Sequence, residues 1–271
     1  MNYLKDTILF YHAGCPDGFG SAYAFWKKYG DSIDYFAISH EDELPDVTGK
    51  KVFFADIAMS REVTLLAAKQ AKEITILDHH ISAYEKLKDL PYYIYSDKRS
   101  GAGMSWEYCH PGVKTSEIVK YVEDRDIWKW EYPESKEILS VVDAAGFTFE
   151  AWDDISKELE NNKNAVVIKG SAILKYCETT MNRIKKGSHT LNIKGYEVPA
   201  INTPFFRSEI LMELCLDAPF SAGYHYDGEA FRFSLRSVSE GADVSKIAGL
   251  FGGGGHKNAS GFSICSLEEL K

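Results

Sequence analysis

The stretch TILFYHAGCPDGFGSAYAFWKKY, residues 7–29, joins an apolar run to an amphipathic segment through a short turn. Thr7–Tyr11 is apolar enough for a buried strand, and Ser21–Tyr29 has helical spacing of apolar residues without proline. The glycines between them allow the backbone to approach a ligand or metal, and a helix that begins there would favour an anion. The stretch therefore predicts a strand, a ligand-binding turn and a helix.

The same alternation of strand and helix continues through the first half of the chain. Ser32–Ile38, Lys51–Ala55 and Glu73–Leu77 have strand-like patterns, and Arg61–Ala71 has helical spacing. Strands that alternate with helices form a parallel sheet, and ligands collect beyond the carboxyl ends of its strands. The sequence therefore predicts an α/β domain whose functional residues directly follow the strands.

The second half of the chain has a different pattern. Phe147 to about Lys186 has helical spacing, and shorter strand-like runs follow at Glu197–Ile201, Ala230–Leu235 and Gly261–Cys265. We expect a parallel-sheet domain at residues 1–145, a helical connector at 146–187 and a smaller C-terminal α/β domain at 188–271.

Composition narrows the class of protein. The 271 residues are 45% apolar and 26% charged, with a net charge of −9, which is unfavourable for binding long polyanions such as duplex nucleic acid. No apolar run is long enough to span a membrane, and the N-terminus has no secretory pattern, so we expect a cytoplasmic protein. Five scattered cysteines without a CxxC pair predict neither a disulfide framework nor a zinc knuckle.

Carboxylates and imidazoles gather at the predicted ends of strands and helices. They are His12, Asp17, Asp56, Asp78, His79, His80 and Asp124. This donor set suits Mn²⁺, Mg²⁺, Fe²⁺ or Zn²⁺, and Asp56 could bridge two ions in a site for phosphoester hydrolysis. A single aspartate after a strand is more often a helix cap or turn former, but two adjacent histidines at a strand exit favour a metal site. The remaining histidines are interpreted as ordinary surface residues: His40, His110, His189 and His225.

The run Gly252–Gly255 is a second candidate site. Four glycines could form a flexible linker, yet these follow a helical pattern and precede a strand-like run. Backbone N–H groups in such a loop can surround a phosphate or carboxylate, and His256, Lys257 and Arg236 could add charge. The pattern favours a structured anion-binding loop.

With these motifs in place, the chain resembles the DHH phosphoesterase family, in the branch with the DHH-associated C-terminal domain. The resemblance spans nearly the whole chain. It rests on five segments in the family's order and spacing: HAGCPDGFGS at 12–21, FADIA at 54–58, DHH at 78–80, EDRDIW at 123–128 and GGGGHKNASGF at 252–262. It implies two metal ions, usually manganese, in an active-site cleft between the two domains.

The resemblance also implies roles for individual residues. His12 and Asp56 would bind one ion, and the other would be bound by Asp17, Asp56, His79 and Asp124, with Asp126 as the alternative to Asp124. His80 would lie next to the substrate phosphate, and Asp78 would orient the histidines. The terminal phosphate or base of the substrate would meet Arg236, Gly253, Gly254, Gly255 and His256.

One position departs from the family pattern. The family has another aspartate two residues before the position of Asp17, where this chain has Cys15. A thiolate ligand favours softer ions such as Zn²⁺ over Mn²⁺, so Cys15 makes the identity of the first ion an open question.

The expected activity is that of a metal-dependent phosphohydrolase and exonuclease that degrades short oligonucleotides or phosphorylated dinucleotides to mononucleotides. Cyclic dinucleotides, bisphosphorylated nucleotides and polyphosphate remain alternatives, because no motif separates them. A nucleotide-binding protein with weakened catalysis is the alternative from another class. The sequence predicts no oligomeric state.

Overall fold

The computed structural model describes residues 5–271. The chain forms two compact units, which divide between Leu174 and Lys175, inside a long helix. Each unit has its own sheet and its own apolar core. The predicted boundary near Gly187 falls between that helix and the first strand of the second unit. The predicted domain limits stay a prediction.

The first unit is built on a parallel sheet of five strands. Its elements through the last strand are β1 (Thr7–His12), α1 (Pro16–Tyr29), β2 (Asp34–Ile38), β3 (Lys51–Ala55), α2 (Arg61–Gln70), β4 (Glu73–Asp78), α3 (Ile81–Leu87) and β5 (Tyr93–Tyr95). The strand order is β2-β1-β3-β4-β5, and every neighbouring pair is parallel. The predicted α/β class with a parallel sheet is confirmed.

Alternate strand residues point to opposite faces of this sheet, and both faces are covered. Phe10 and Phe54 pack on one face with Ala67 of α2, whereas Leu9 and Phe53 pack on the other with Phe25 of α1. Burial on both faces explains why these strands are almost continuously apolar.

Helix α1 begins earlier than its apolar spacing predicts. It starts at Pro16 rather than Ser21, because proline has the backbone angle of the first helical position and lacks an N–H that would go unpaired there. The first turn of α1 lies tightly against the end of β1, since a Cβ atom at Gly18 would be 2.2 Å from the His12 carbonyl oxygen. Asp17 is therefore held in a helix beside the end of β1, not in a loose turn.

Helices complete the first unit. They are α4 (Gly101–Cys109), α5 (Glu117–Asp126), α6 (Ser135–Ala145) and the first part of α7 (Phe149–Lys185). Helix α7 is interrupted at Asn162, whose backbone is not helical. Trp152 of α7 is fully buried and contacts Phe19 and Tyr23 of α1. The start of α7 thus belongs to the core of the first unit.

The second unit has a six-stranded sheet. Its strands are β6 (His189–Ile193), β7 (Tyr196–Asn202), β8 (Ser221–Tyr226), β9 (Phe231–Arg236), β10 (Gly254–His256) and β11 (Ala259–Ile264), with helices α8 (Arg207–Leu214) and α9 (Val244–Gly249). The strand order is β10-β11-β9-β8-β7-β6, and only β7 and β8 pair in parallel. The three strand-like runs predicted from the sequence correspond to β7, β9 and β11. Within residues 5–271, no helix is long and apolar enough to cross a membrane.

Candidate metal centre

The candidate metal centre lies at the carboxyl edge of the parallel sheet. Tyr11 of β1 pairs with Ala55 of β3, and Ala55 pairs with Leu77 of β4, so these three strands end side by side. The next residues along the chain are His12, Asp56 and Asp78. This alignment brings together side chains that are far apart in sequence.

Asp56 occupies the centre of this edge. Its φ of +61° lies in the left-handed region, and its N–H donates to the Leu77 carbonyl over 2.9 Å. Its side chain is 1% exposed. Oδ1 lies 3.1 Å from Nε2 of His79, and Oδ2 lies 3.6 Å from Nδ1 of His12 but has no hydrogen-bond partner. An acceptor that is buried and unpaired is the kind of group that a bound cation satisfies.

The protonation of Asp56 is decided by opposing effects. Burial alone would raise the pKa of Asp56, but the imidazoles of His12 and His79 outweigh burial and hold the pKa below its usual range. The carboxylate is therefore ionised, and its unpaired oxygen carries charge.

Asp17 is held by the N-terminus of α4. Its carboxylate accepts the N–H of Gly101 over 2.6 Å and the N–H of Ala102 over 3.1 Å. The positive end of the helix dipole supports a negative group there. Burial, followed by the charges of Asp56 and Asp126, nevertheless raises the pKa of Asp17 well above its ordinary value. Burial and the adjacent carboxylates therefore disfavour the charged form of Asp17.

Three carboxylates converge on Nε2 of His79. Asp56 is 3.1 Å away, Asp126 is 3.5 Å away and Asp17 is 3.6 Å away. Like charges at this spacing repel one another, and a divalent cation would relieve that repulsion. Carboxylates with an imidazole form a donor set that suits Mn²⁺, Mg²⁺, Fe²⁺ and Zn²⁺, so the residues present fit a metal ion.

Asp124 is not part of this cluster, which corrects the expected ligand set. Its buried carboxylate accepts the N–H of Glu131 over 2.8 Å, the N–H of Tyr132 over 3.4 Å and the hydroxyl of Ser135 over 3.1 Å. Residues two apart on a helix point in different directions, so when Asp124 faces this loop, Asp126 faces His79. Asp126 is the candidate ligand, and Asp124 organises the chain that follows α5.

Cys15 lies on the other side of Asp56, at the N-cap of α1. One ligand atom from each of His12, Cys15 and Asp56 forms a group within 4.8 Å. Burial, followed by the charge of Asp56, raises the pKa of the Cys15 thiol to about 12. Asp56 thus belongs to two candidate metal clusters, one with Cys15 and one with His79.

Asp78 lies behind the histidines and is fully buried. Its Oδ1 accepts the N–H of His79 over 2.9 Å and lies 2.7 Å from Nδ1 of His80, and its Oδ2 accepts the Tyr93 hydroxyl over 3.2 Å. The hydrogen bond with Asp78 raises the pKa of His80. Asp78 therefore orients His80 and fixes the backbone at His79.

The glycine run belongs to the second unit and is structured. Gly254–His256 form β10, an exposed strand at the edge of the sheet that pairs with β11. The amides of Gly252 and Gly253 donate to the carbonyls of Gly249 and Ala248, so they are not free to surround an anion. The linker alternative is thereby excluded for this run, and the predicted anion site is reduced to Gly254, Gly255 and His256.

Arg236, at the end of β9, lies at the same level of the sheet as His256. Ala259 of β11 pairs with both residues. Arg236 donates from Nη2 to the Ser208 hydroxyl over 2.9 Å. The second unit therefore presents a histidine and an arginine along one line of strand pairing.

Two contacts of the metal centre were not predicted from the sequence. The amides of Gly101 and Ala102 hold Asp17 from a helix more than eighty residues away, although the run SGAG at 100–103 is a detectable capping signal. His40, predicted as an ordinary surface residue, places its ring 6.0 Å from that of His12.

Gly101 permits a close approach between α4 and the carboxylates of this centre, and we expect Gly101→Ala to disrupt it. The added Cβ atom would lie 2.5 Å from Cβ of Asp56 and 2.9 Å from Oδ2 of Asp17. Since displacement of a catalytic group by about 1 Å can cost about a hundredfold in rate, we expect a loss of that size in metal-dependent turnover. Gly249→Ala is the control, because a Cβ there has no neighbour within 4 Å. Equal turnover in both variants would show that the site tolerates the displacement.

Comparisons with known proteins were made by sequence and by structure. No family model matches the chain. An uncharacterized protein of Acanthamoeba polyphaga mimivirus is 30% identical over 290 residues, which cover 97% of this chain and 68% of that protein. Oligoribonuclease NrnB of Bacillus subtilis is 24% identical over 229 residues, covering 71% of this chain and 53% of NrnB. This chain therefore spans about half the length of NrnB.

Two solved structures share the fold. The pGpG-specific phosphodiesterase PggH of Vibrio cholerae superposes with a TM-score of 0.56 at 13% identity, over 96% of this chain and 94% of PggH. RecJ of Thermus thermophilus, solved in complex with Mn²⁺, superposes with a TM-score of 0.52 at 13% identity, over 95% of this chain and 49% of RecJ.

Proposed function

Because the chain belongs to the DHH phosphoesterase family, we propose that it is a metal-dependent phosphohydrolase that cleaves short oligonucleotides or phosphorylated dinucleotides to mononucleotides. The observation that carries this proposal is the unpaired, buried oxygen of Asp56 between two groups of metal-binding side chains. Hydrolase activity is also supported by the relatives, which include an oligoribonuclease and a phosphodiesterase.

The cluster divides into two proposed metal positions. Asp17, Asp56, His79 and Asp126 would hold one ion, and His12, Cys15 and Asp56 would hold the other. Divalent ions bound there would increase the acidity of a water molecule and offset the charge of the phosphate. Asp56 would serve both positions, since its two oxygens face different imidazoles.

The other residues would position the substrate. Asp78 engages Nδ1 of His80 and leaves Nε2 of that half-exposed ring available to a phosphate oxygen. In the second unit, Arg236, His256 and the exposed glycines of β10 would bind a phosphate or base. The binding of small anions, rather than long strands, is consistent with a net charge of −9.

The class of substrate is supported by the names of the relatives. NrnB is an oligoribonuclease, and PggH is specific for pGpG, a phosphorylated dinucleotide. Oligoribonucleotides and pGpG are both short, linear nucleotide substrates. We therefore place cyclic dinucleotides, bisphosphorylated nucleotides and polyphosphate second.

Cys15 is expected to make the metal position that it shares with His12 and Asp56 prefer softer ions. Replacing Cys15 by aspartate would exchange sulfur for oxygen, so the affinity for Mn²⁺ relative to Zn²⁺ should rise at least about tenfold. Isothermal titration measures both affinities, and the Co²⁺ form should show a near-ultraviolet sulfur-to-cobalt band that the variant loses. Cys265→Ser, at an exposed cysteine, is the control. A Co²⁺ band that persists in Cys15→Ser would exclude Cys15 as a ligand.

The activity is tested by product analysis with Mn²⁺, Mg²⁺ or Zn²⁺. The panel comprises a 5′-phosphorylated dinucleotide, a short RNA, a longer strand, a cyclic dinucleotide, a bisphosphorylated nucleotide and polyphosphate. We expect mass spectrometry to detect mononucleotides from the first two substrates, and their loss in His79→Ala. If no substrate is hydrolysed with any ion, the alternative is a nucleotide-binding protein without catalysis.

A further inference from the structure

An exposed tryptophan follows the candidate metal ligand Asp126. Trp128 is 77% exposed and has a φ of +57°, and Trp130 has a φ of +53°. Bulky residues rarely adopt this left-handed region, and each such residue is held there only when its surroundings enforce it. The loop between α5 and α6 therefore contains two strained aromatic residues within a short distance of the metal centre.

Asp124 enforces this conformation. Its carbonyl accepts the N–H of Lys129 over 2.9 Å and of Trp130 over 3.4 Å, while its buried carboxylate accepts the N–H groups of Glu131 and Tyr132. The loop thus wraps around one residue, through both its backbone carbonyl and its side chain. A loop with so many backbone hydrogen bonds to a single buried residue holds its exposed side chains in fixed places.

The two tryptophans differ in what they contribute to the fold. Trp130 packs against the core of the first unit. Trp128 contacts Trp130 edge to face, with ring centroids 5.6 Å apart, but leaves most of its own surface in water. Its burial therefore contributes little to offset the strain, and most of the ring surface is free to contact a ligand.

The space beside this ring is a groove of about 570 Å³. Trp128, Trp130 and Tyr132 supply aromatic surface, and the charged side chains of the lining are those of Glu134, Lys136 and Glu137. Trp128 follows Asp126 by two residues, so their Cα atoms are at most about 7 Å apart. A dinucleotide whose phosphate lies beside Asp126 is longer than this separation, so one of its bases can contact the ring of Trp128.

We propose that Trp128 is a stacking platform for a nucleobase of the substrate. The inference rests on the proposed function and narrows it, because a stacking platform favours nucleotides over polyphosphate. Stacking on an aromatic ring accepts every base, since each has a π-face. Trp128 would thus bind the base while the metal centre binds the adjoining phosphate.

The substitution Trp128→Ala tests the platform. From the usual strength of base stacking, we expect the KM for a 5′-phosphorylated dinucleotide to rise about 5- to 150-fold, with Trp128→Phe close to wild type. The same dinucleotide with an abasic site at its 5′ residue, and another with the abasic site at its 3′ residue, identify the stacked base. The abasic substrate that lacks the stacked base gains nothing from Trp128, so its KM should be equal in Trp128→Ala and wild type. An equal rise for both abasic substrates would overturn the proposal.

Binding is measured separately from turnover. Titration calorimetry should show weaker binding of GMP and AMP to Trp128→Ala than to wild type, with ribose 5-phosphate unaffected. If hydrolysis fails but this difference is present, the platform stands and the proposed activity falls. If hydrolysis occurs but neither KM nor nucleotide binding changes, the platform falls and the activity stands.

Trp128→Gly distinguishes a binding role from a structural one. Glycine adopts a positive φ without strain, so this variant should keep or raise the thermal midpoint while weakening GMP binding. A midpoint lowered by more than about 5 °C would show that the ring supports the fold, and would overturn the proposal. A change in sedimentation of Trp128→Ala with unchanged GMP binding would instead identify a surface for a second protein.

Discussion

Replacement of Asp56 by asparagine is expected to lower metal-dependent hydrolysis by about a thousandfold or more. A bound metal supplies several kcal/mol of transition-state stabilisation, and about 4 kcal/mol corresponds to that factor. Asp56 belongs to two of the candidate metal-binding groups, one with His12 and Cys15 and one with His79 and His80, so its loss weakens both proposed positions. The fold should survive, because asparagine has nearly the same shape and tolerates the left-handed backbone at this position.

Two measurements separate loss of metal from loss of fold. The thermal midpoint without metal should fall only modestly, because the amide loses the charge that His12 and His79 favour, and the rise caused by Mn²⁺ should be strongly reduced. Asp154→Asn makes the same change in charge at a side chain that is 80% exposed, and should leave hydrolysis unchanged. An Asp56→Asn enzyme with more than a tenth of wild-type turnover would contradict the proposed site.

The neighbouring aspartates of α5 should respond in opposite ways to the same substitution. Asp126→Asn removes a carboxylate beside His79 and should lower turnover at least about a hundredfold. Loss of a residue that only hydrogen-bonds to a metal ligand usually costs about 10- to 100-fold, so a direct ligand should cost more. Its folding stability should be unchanged or higher, since a repulsive charge is removed.

Asp124→Asn should mainly destabilise the fold. The amide NH₂ cannot accept a hydrogen bond, so at least one donor among Glu131, Tyr132 and Ser135 loses its partner. We expect a loss of about 2–4 kcal/mol in the free energy of unfolding. Chemical denaturation of both variants measures this difference. A destabilised Asp126→Asn with a stable, inactive Asp124→Asn would reverse the assignment of the ligand.

The sequence predicts which candidate residues lie together where strand ends position them. Apolar runs locate β1, β3 and β4, and a parallel sheet aligns the ends of its strands, so His12, Asp56 and His79 follow from local pattern. The resemblance to the DHH phosphoesterase family is confirmed. The joint arrangement of the two units, and with it the expected cleft, stays a prediction.

Local pattern cannot decide between Asp124 and Asp126. The choice depends on which face of α5 packs against the sheet, and the two aspartates differ by about 200° around the helix. The hydrogen bonds from Gly101 and Ala102 to Asp17 depend on an approach between distant segments. Trp128 is missed for a different reason, because nothing in a sequence reports a positive φ at a residue other than glycine.

The all-parallel order of the first sheet has a consequence for how the protein folds. Each strand pair joins segments separated by a crossover, so the sheet forms through contacts distant in sequence, which are slow to assemble. The residues of the metal centre extend from His12 to Asp126 and are brought together only when those crossovers are complete. An ion that requires the finished sheet would stabilise the native state more than the folding transition state. Metal would then slow unfolding and leave the rate of folding nearly unchanged, so the bound ion would prolong the lifetime of the folded protein.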